Sequence, residues 1–406
     1  MRTCFVCAAA AAFAMTGTVS AQTVTLPESE VLAQLSAENP RIQAARAGVD
    51  VMRAEVLAAG RLPNPRVTYN REAVAGVSEN MVMVSQTLPV TGRRRFDVSA
   101  ATARVEAGSQ RAQDQIRRIR ADVRLAYTDL WAAQEREREL TRSRDRLNEL
   151  AGILGKREAA GDAAGFDRLR AEREVTDVDA GRGLAAAERA QAQANLSSFL
   201  PAQRLNSIEA VRPATTLPML PTVDELMARA ETSRGDLVAL AREIDAAGFA
   251  EQAAGRRAIP EPEVVAGTKM SNALGGDVGS IVSVHVSIPL FDRARPERAA
   301  AQARGRQARV EADVLRQTIR AQIANWRAAV VERRAVAERH RAALATGAGE
   351  IERIAQVSYD AGERGILELL DAFRTASTAR VRQTELDAVV REAEIELEFV
   401  SGWEIP

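Results

Sequence analysis

The chain contains two very long stretches without proline. One runs from Val90 to Leu200, which is 111 residues, and the other from Glu297 to Ile405, which is 109 residues. Proline breaks helix interiors, and both stretches are rich in Ala, Arg, Glu, Leu and Gln, which favour helices. Leu140, Leu147 and Leu154 recur at the heptad spacing that is typical of coiled coils. The sequence therefore predicts long, closely packed helices.

Each stretch has one break that contains glycine, at Ala160-Gly161 and at Ala361-Gly362. We therefore interpret each stretch as a helical hairpin and not as one rod. The first limb, from about Arg93 to Ala159, would reach roughly 100 Å at about 1.5 Å per residue. Globular domains do not use helices of this length, which are typical of a tube or a spacer.

Charge and composition exclude several function classes. Lys and Arg number 55, Asp and Glu also number 55, and hydrophobic residues make up 46% of the chain. A neutral chain is not a strongly basic nucleic-acid binder, and this hydrophobic fraction suffices for a core. With only two cysteines and two histidines, and with no phosphate-binding glycine loop, the sequence predicts no enzyme, no catalytic residue, no cofactor and no metal site.

Residues 1–21 have the features of a secretory signal peptide. A short basic start precedes an apolar run of about ten residues, and Val19-Ser20-Ala21 provides small residues before a cut at Gln22. The run is too short to span a bilayer, which argues against a membrane helix. Because Cys4 and Cys7 lie within this segment, we expect an exported mature chain without a disulfide or a lipid-carrying cysteine.

The mature chain reads as two copies of one repeat. An ordered series of matches extends along it at an offset that drifts only from 194 to 201, and such a series indicates duplication. The matches are Leu26-Pro27 with Leu220-Pro221, Pro63-Asn-Pro65 with Pro260-Glu-Pro262, Leu88-Pro89 with Ile288-Pro289, Ala160-Gly161 with Ala361-Gly362, and Leu169, Ala171 and Arg173 with Leu370, Ala372 and Arg374. We predict repeat 1 at 22–205, with strands at about 66–88 and helices at about 93–200, and repeat 2 at 206–406, with strands at about 263–288 and helices at about 296–400.

Each repeat carries one predicted hairpin of strands. The clearest strand has Val282, Val284 and Val286 alternating with Ser283 and His285, so that one face is apolar. The predicted strands cover 66–73, 80–88, 263–270 and 280–288, with glycine-bearing loops at 74–79 and 271–279. Four strands cannot close a membrane barrel, and open strand edges are not tolerated in lipid. If the strands enter a membrane, the chain must oligomerise.

Taken together, these features resemble the TolC-like outer membrane efflux protein family over about 26–402. Local motifs with the family's order and spacing are Asn39-Pro40 opening a helix, Pro63-Asn64-Pro65 before the first strand, and Ser85-Gln86-Thr87-Leu88-Pro89 followed by Arg93-Arg94-Arg95. The resemblance implies a mainly α chain whose long antiparallel hairpins form an α-barrel tunnel, and whose four strands contribute to a trimeric 12-stranded outer membrane β-barrel. The residues of the second and third motifs are similar to those of the heavy-metal cation-efflux branch of the family. The chain departs from the many lipoproteins of the family, because no cysteine follows the signal.

The same resemblance implies the partners and the location. It places the chain in the cell outer membrane, with its tunnel in the periplasm, as the exit duct of a tripartite efflux system that carries heavy-metal cations or small toxic compounds. The expected partners are two further copies in a homotrimer, a periplasmic adaptor, an inner membrane RND-type pump or ABC transporter, and outer membrane lipid, but not nucleic acid. A duct for type I protein secretion stays open, and so does a periplasmic coiled-coil adaptor or scaffold, against which the two hairpins and paired strands argue.

The resemblance also assigns candidate site residues. The hairpin turns match the family's periplasmic tips, where an adaptor docks, although a tight helix–helix turn needs glycine in any case. The tip residues are Gly161, Asp162, Gly165, Asp167, Gly362, Glu363 and Gly365. Glu368 and Asp371 lie three apart on one helix face and match an acidic ring at the closed end of the tunnel. The first copy has Asp167 and Arg170 there, so it need not share this role.

One histidine and two strand methionines are candidate metal ligands. His285 lies on the predicted lumen side, and Met81 and Met83 alternate on the matching strand. A soft-metal site needs convergent ligands, and no Cys or His cluster accompanies these residues. We therefore interpret them as wall-lining residues, and His340 as an exposed helix residue.

Overall fold

The computed structural model describes residues 24–161, 165–201, 208–213 and 219–403. The predicted signal peptide lies outside these ranges. The same order of elements, one short strand, two helices, a hairpin of strands and two long helices, occurs twice along the chain. The first set is β1 (Val24–Leu26), α1 (Glu28–Ala33), α2 (Pro40–Ala59), β2 (Arg66–Val74), β3 (Val77–Thr87), α3 (Arg93–Ala159) and α4 (Gly165–Ser197). The second is β4 (Ile208–Ala210), α5 (Val223–Ser233), α6 (Gly235–Arg256), β5 (Pro262–Ser271), β6 (Asp277–Val286), α7 (Arg295–Asp360) and α8 (Ile366–Ser401).

The helical part is built as predicted from two hairpins of unequal arms. Helix α3 has 67 residues and pairs with α4 of 33, while α7 has 66 and pairs with α8 of 36. Helix α6 packs against both α3 and α7, and α8 packs against both α7 and α3, which joins the two halves of the chain. The heptad leucines Leu147 and Leu154 are buried, as coiled-coil packing requires.

The four long strands form one antiparallel sheet in the order β2-β3-β5-β6. The predicted strand bounds were wrong in detail. The first hairpin closes at Ala75-Gly76, where both residues have positive φ, so its strands are longer and its turn shorter than predicted. The last strand ends at Val286, because Ile288 and Pro289 belong to the connection into α7. Gly267 allows close strand approach, since a Cβ there would lie 2.3 Å from the carbonyl oxygen of Val82.

A small parallel sheet and its surroundings were not predicted. Strand β1 pairs with β4, and their three-residue length gives no readable periodicity. Gln134 of α3 extends this sheet, because its side-chain amide donates to the carbonyl of Ile208 and accepts from the N–H of Ala210. The Tyr127 hydroxyl donates to the carbonyl of Leu26 and accepts from the N–H of Val211. These bonds fix β1 and β4, which begin the two halves of the chain, to the middle of α3.

Candidate functional site

The turn between α7 and α8 is a glycine-terminated helix end. Gly362 has φ +72°, and its N–H donates to the carbonyl of Tyr359 over 3.0 Å. The N–H of Glu363 donates to the carbonyl of Ser358 over 2.9 Å. These two bonds form a Schellman motif, in which a left-handed residue satisfies the last carbonyls of the helix. Glycine is required at this point for backbone reasons alone.

The turn between α3 and α4 begins in the same way. Gly161 has φ +83°, and its N–H donates to the carbonyl of Glu158 over 3.0 Å. Asp162 lies outside the described residues. After the turn, Asp167 lies in the first helical turn of α4, and Arg168 returns to Glu158 with an Nε–Oε2 distance of 2.6 Å. This pair closes the arms of the hairpin at its end.

Both turns lie at the same end of the chain's helical part. One buried apolar cluster combines residues from the end of α3, the start of α4, the end of α7 and the start of α8. Its members include Leu150, Leu154, Ala171, Ala355, Leu369 and Phe373. Helix α3 starts just after strand β3 and continues for 67 residues, so this end lies roughly 100 Å from the sheet. We call this end the tip region, defined by residues 147–175 and 355–374.

Tyr359 connects the two turns. Its pKa is raised above the ordinary tyrosine value, first by burial and then by the negative charge of Asp167, while the positive charge of Arg157 acts in the opposite direction. These groups come from α7, α4 and α3 respectively. Tyr359 of the second hairpin therefore lies close enough to charged groups of the first hairpin for them to change the pKa of its hydroxyl.

Exposed apolar side chains surround the turns, and sequence reasoning missed them. Phe166, Leu169 and Leu367 are all at least half exposed. The repeat matched Leu169 to Leu370, yet Leu370 is buried, so the two tips present different surfaces. A periodicity argument assigns all such positions to the core, which is why only the structure separates them.

The acidic pair lies on the exposed face of α8. Glu368 and Asp371 both point away from the buried face that carries Leu369 and Phe373. Asp371 is not free, because Arg374 lies 3.0 Å away, with both side chains about two-thirds exposed. A single chain thus presents two carboxylates and one guanidinium on this face.

A second charged cluster lies further from the tips and ties three helices together. Arg380 of α8 pairs with Glu139 of α3 at 3.2 Å and with Glu352 of α7 at 2.7 Å. Arg146 of α3 also reaches Glu352 at 2.9 Å and lies over the Phe373 ring. Both acids are about nine-tenths buried, so these bonds fix the relative positions of the hairpins more firmly than surface pairs would.

At the opposite end, the sheet has one apolar and one polar face. Register places Val67, Val82 and Val284 on the same side, together with the exposed Val84, Val278, Val282 and Val286. The other side carries Met81, Met83, Ser283, His285 and the Lys269–Glu79 ion pair at 2.5 Å. Among the residues that the structure describes, Ser283 alone forms a side-chain hydrogen bond with His285, and the methionines lie two strands away from it. The sheet ends at β2 and at β6, whose outer edges have no partner strand within the described chain.

His340 differs from its prediction. It is half-buried between α7 and α8, and its Nδ1 lies 2.9 Å from Oε1 of Gln383. Gln383 in turn donates to Asp387, which also accepts from Arg341. The histidine is therefore part of the contact between the two helices, and a lone polar residue in a charged helix gave no sequence pattern to show it.

In the described ranges, no group of three or more His, Cys, Asp or Glu side chains is arranged to hold a metal ion. Across the same residues, no helix combines the length and the hydropathy that a membrane crossing demands.

Comparison with known proteins agrees with this architecture. Residues 31–200 match the family model described as outer membrane efflux protein. The chain is 24% identical over 357 residues to the cobalt-zinc-cadmium resistance protein CzcC of Cupriavidus metallidurans, covering 86% of this chain and 84% of that protein. A membrane protein from Pseudomonas aeruginosa has a similar structure, with a TM-score of 0.77, 20% identity, and coverage of 96% and 95%. The open state of the MtrE outer membrane channel of Neisseria gonorrhoeae gives a TM-score of 0.73, 18% identity, and coverage of 95% and 93%.

Long hairpins joined at one end and a four-stranded sheet at the other give this chain the fold of the outer membrane channels to which it is similar. Residues 31–200 resemble the outer membrane efflux protein family. This resemblance supports a role as an outer membrane exit duct of a tripartite efflux system, with the helical tunnel in the periplasm.

Proposed function

We propose that three copies of this chain close a 12-stranded barrel and a continuous helical tunnel. The observation that carries this proposal is the sheet, which has an exposed apolar face and two unpaired outer edges at β2 and β6. Unpaired backbone groups are too costly in lipid, whereas pairing β2 of one copy with β6 of the next satisfies them all. The two similar halves of each chain then act as six helical hairpins around one axis.

The mass of the purified protein in mild detergent tests this assembly. We expect three chains per particle. Replacing Val282, on edge strand β6, with proline removes a backbone donor and should weaken assembly. Replacing Val310 with proline, which breaks α7 but leaves both sheet edges intact, serves as a comparison for general misfolding. A stable, well-behaved monomer of the parent chain would contradict the closed barrel.

We propose that the tip region docks the adaptor. The support is the pair of tight glycine turns together with the exposed apolar side chains Phe166, Leu169 and Leu367 around them. Apolar side chains that are exposed at the end of a hairpin provide burial energy for a partner's helices. The variant Phe166→Ser with Leu367→Ser should reduce co-purification of the adaptor. Leu184→Ser, an equally exposed apolar position in the middle of α4, should not.

We propose divalent transition-metal cations as the substrate class. The support is the similarity to a protein named for cobalt, zinc and cadmium resistance and the acidic pair Glu368 and Asp371 at the tips. The pump would then be of the RND type, because such a duct serves proton-driven export. A strain without this chain should become sensitive to cobalt, zinc or cadmium, and the chain should restore resistance. Unchanged metal tolerance with loss of a secreted protein would instead indicate a duct for type I secretion with an ABC transporter.

A further inference from the structure

The segments that join each strand hairpin to its long helix share one pattern. Each segment begins with an apolar residue, proline and a second apolar residue. Two variable positions follow, and then come two arginines that are separated by one residue. The segments are Leu88–Arg95 and Ile288–Arg295. In both, the N–H of the residue after proline donates to the carbonyl of the residue before it over 2.9 Å. The two halves of the chain therefore present the same short turn at the same level of the fold.

The apolar part of each segment is uncovered. Val90, Ile288 and Leu290 are all more than three-fifths exposed, and the Phe291 side chain is 99% exposed. An exposed phenylalanine contributes nothing to the stability of the chain that carries it. Phe291 lies five residues after Val286, the last residue of β6, and four residues before α7 begins. Exposed apolar side chains between a sheet with an apolar face and the long helices indicate contact with a non-aqueous partner.

Four of the five arginines in the two segments have no acid partner in the part of the chain that the structure describes. No carboxylate there lies within 4.0 Å of the guanidinium of Arg95, Arg293 or Arg295, and all three are exposed. Arg94 of the first segment donates to the carbonyl of Gly60, and the neighbouring Arg256 lies over the Phe96 ring. By contrast, Arg93 and Arg257 have acid partners in Glu261 and Glu297.

These positive charges do not stabilise the helices on which they lie. The first turns of α3 and α7 are the positive ends of their helix dipoles, where acidic residues are favoured and basic ones are not. The first turn of α3 contains no acid, and that of α7 contains only Glu297, which is paired with Arg257. An arrangement that is unfavourable within the chain becomes favourable when an anion binds beside it.

We propose that the segments Leu88–Arg95 and Ile288–Arg295 form a lipid belt that binds the headgroups of anionic phospholipids in the leaflet next to the helices. The apolar residues and Phe291 enter the acyl boundary, while the arginine stems extend to the phosphates. This inference rests on the proposed membrane barrel. The partner is a phospholipid and not free phosphate, because the apolar residues lie beside the arginines and have no role toward an inorganic ion.

The lipid belt is tested by headgroup selectivity. The full chain is reconstituted in phosphatidylcholine vesicles, and spin-labelled phosphatidylglycerol and phosphatidylcholine are compared for association with it. We expect the parent to prefer phosphatidylglycerol, and the variant Arg95→Gln, Arg293→Gln, Arg295→Gln to lose at least about fivefold of that preference, which is the effect of one cationic side chain near an anionic surface. The control Arg104→Gln, Arg306→Gln, Arg309→Gln removes three exposed, unpaired charges further along the same helices and should keep the preference.

Three further measurements distinguish lipid binding from the alternatives. High salt should abolish the preference of the parent by screening, a measurement that needs no variant to fold. Inorganic phosphate should not displace the labelled lipid, and Phe291→Ser should weaken association of both lipids. Equal association of the two lipids with the parent, equal loss in both triple variants, or displacement by phosphate alone would overturn the proposal. Failure of the barrel itself appears differently, as the absence of trimers and of conductance.

Discussion

Glu368 and Asp371 are predicted to form an acidic gate at the closed end of the tunnel, and the structure shows that Asp371 is paired with Arg374. Near the second tip, the exposed charges are Asp360, Glu363, Arg364, Glu368, Asp371 and Arg374, which give each chain a net charge of −2. The variant Glu368→Gln, Asp371→Asn leaves two carboxylates and two guanidiniums, so the net charge becomes zero. In a three-fold assembly the charge at the constriction would change from −6 to zero. The double variant therefore neutralises this end of the tunnel.

The size of the effect follows from Coulomb's law. A unit charge about 4 Å from a divalent cation contributes about 2 kcal/mol in water, which corresponds to about a thirtyfold change in occupancy. Screening by physiological salt acts over about 8 Å and reduces this effect for ions at a greater distance. We therefore expect about a tenfold or greater loss of divalent-cation block, together with a loss of cation preference.

Planar bilayer recordings of the reconstituted channel measure both quantities. Arg374→Gln is the matched control: it releases Asp371 from its pair, makes the local charge more negative and should strengthen cation block. Reversal potentials in a salt gradient report the ion preference directly. If the double variant blocks and selects ions like the parent, the acids form an ordinary solvated surface and the gate lies elsewhere.

Three further predictions concern folding. Gly362→Val should destabilise the second tip by about 1–3 kcal/mol, because valine disfavours a φ of +72°. Gly349→Ala, in the open interior of α7, should instead stabilise the chain by about 0.5–1 kcal/mol. Chemical denaturation followed by circular dichroism compares the two variants. Glu394→Gln should cost about 3–5 kcal/mol in the same assay, because this fully buried carboxylate pairs with Arg334, and a cost below 1 kcal/mol would contradict that role. Burial raises the pKa of Asp114, an effect that Arg234 opposes, so the free energy of unfolding should fall as pH rises from the ordinary aspartate value through the raised one. Asp114→Asn should remove that decline and match the parent only at low pH, and an unchanged pH profile would refute the assignment.

The long helices were predictable because local chemistry specifies them. Proline is absent from both stretches, and helix-forming residues fill them, so α3 begins and ends where the sequence indicated, at Arg93 and Ala159. The glycines at the turns were equally readable, since only glycine adopts positive φ at low cost. The strands were found by alternation, but their ends were displaced, because a two-residue turn such as Ala75-Gly76 has little pattern of its own.

The candidate site was predictable only in part. The repeat identified the turns, but not which side chains around them stay exposed, and Leu169 and Leu370 show that matched positions differ in burial. Asp371 and Arg374 lie three residues apart in α8, so their pairing could have been inferred from the spacing. The contacts of Arg380 with Glu139 and Glu352 could not, because they connect positions far apart in the chain.

The sequence by itself determined the element types and the positions of the turns, since these depend on backbone preferences. Only the tertiary structure decided which arginines have an acid partner, and whether the apolar residues between sheet and helices are covered. Arginines and acidic residues are interspersed along the long helices, so the sequence offers each charge several partners at once. The choice among them is made by helix packing, which brings Arg146 to Glu352 and leaves Arg95 and Arg295 facing outward.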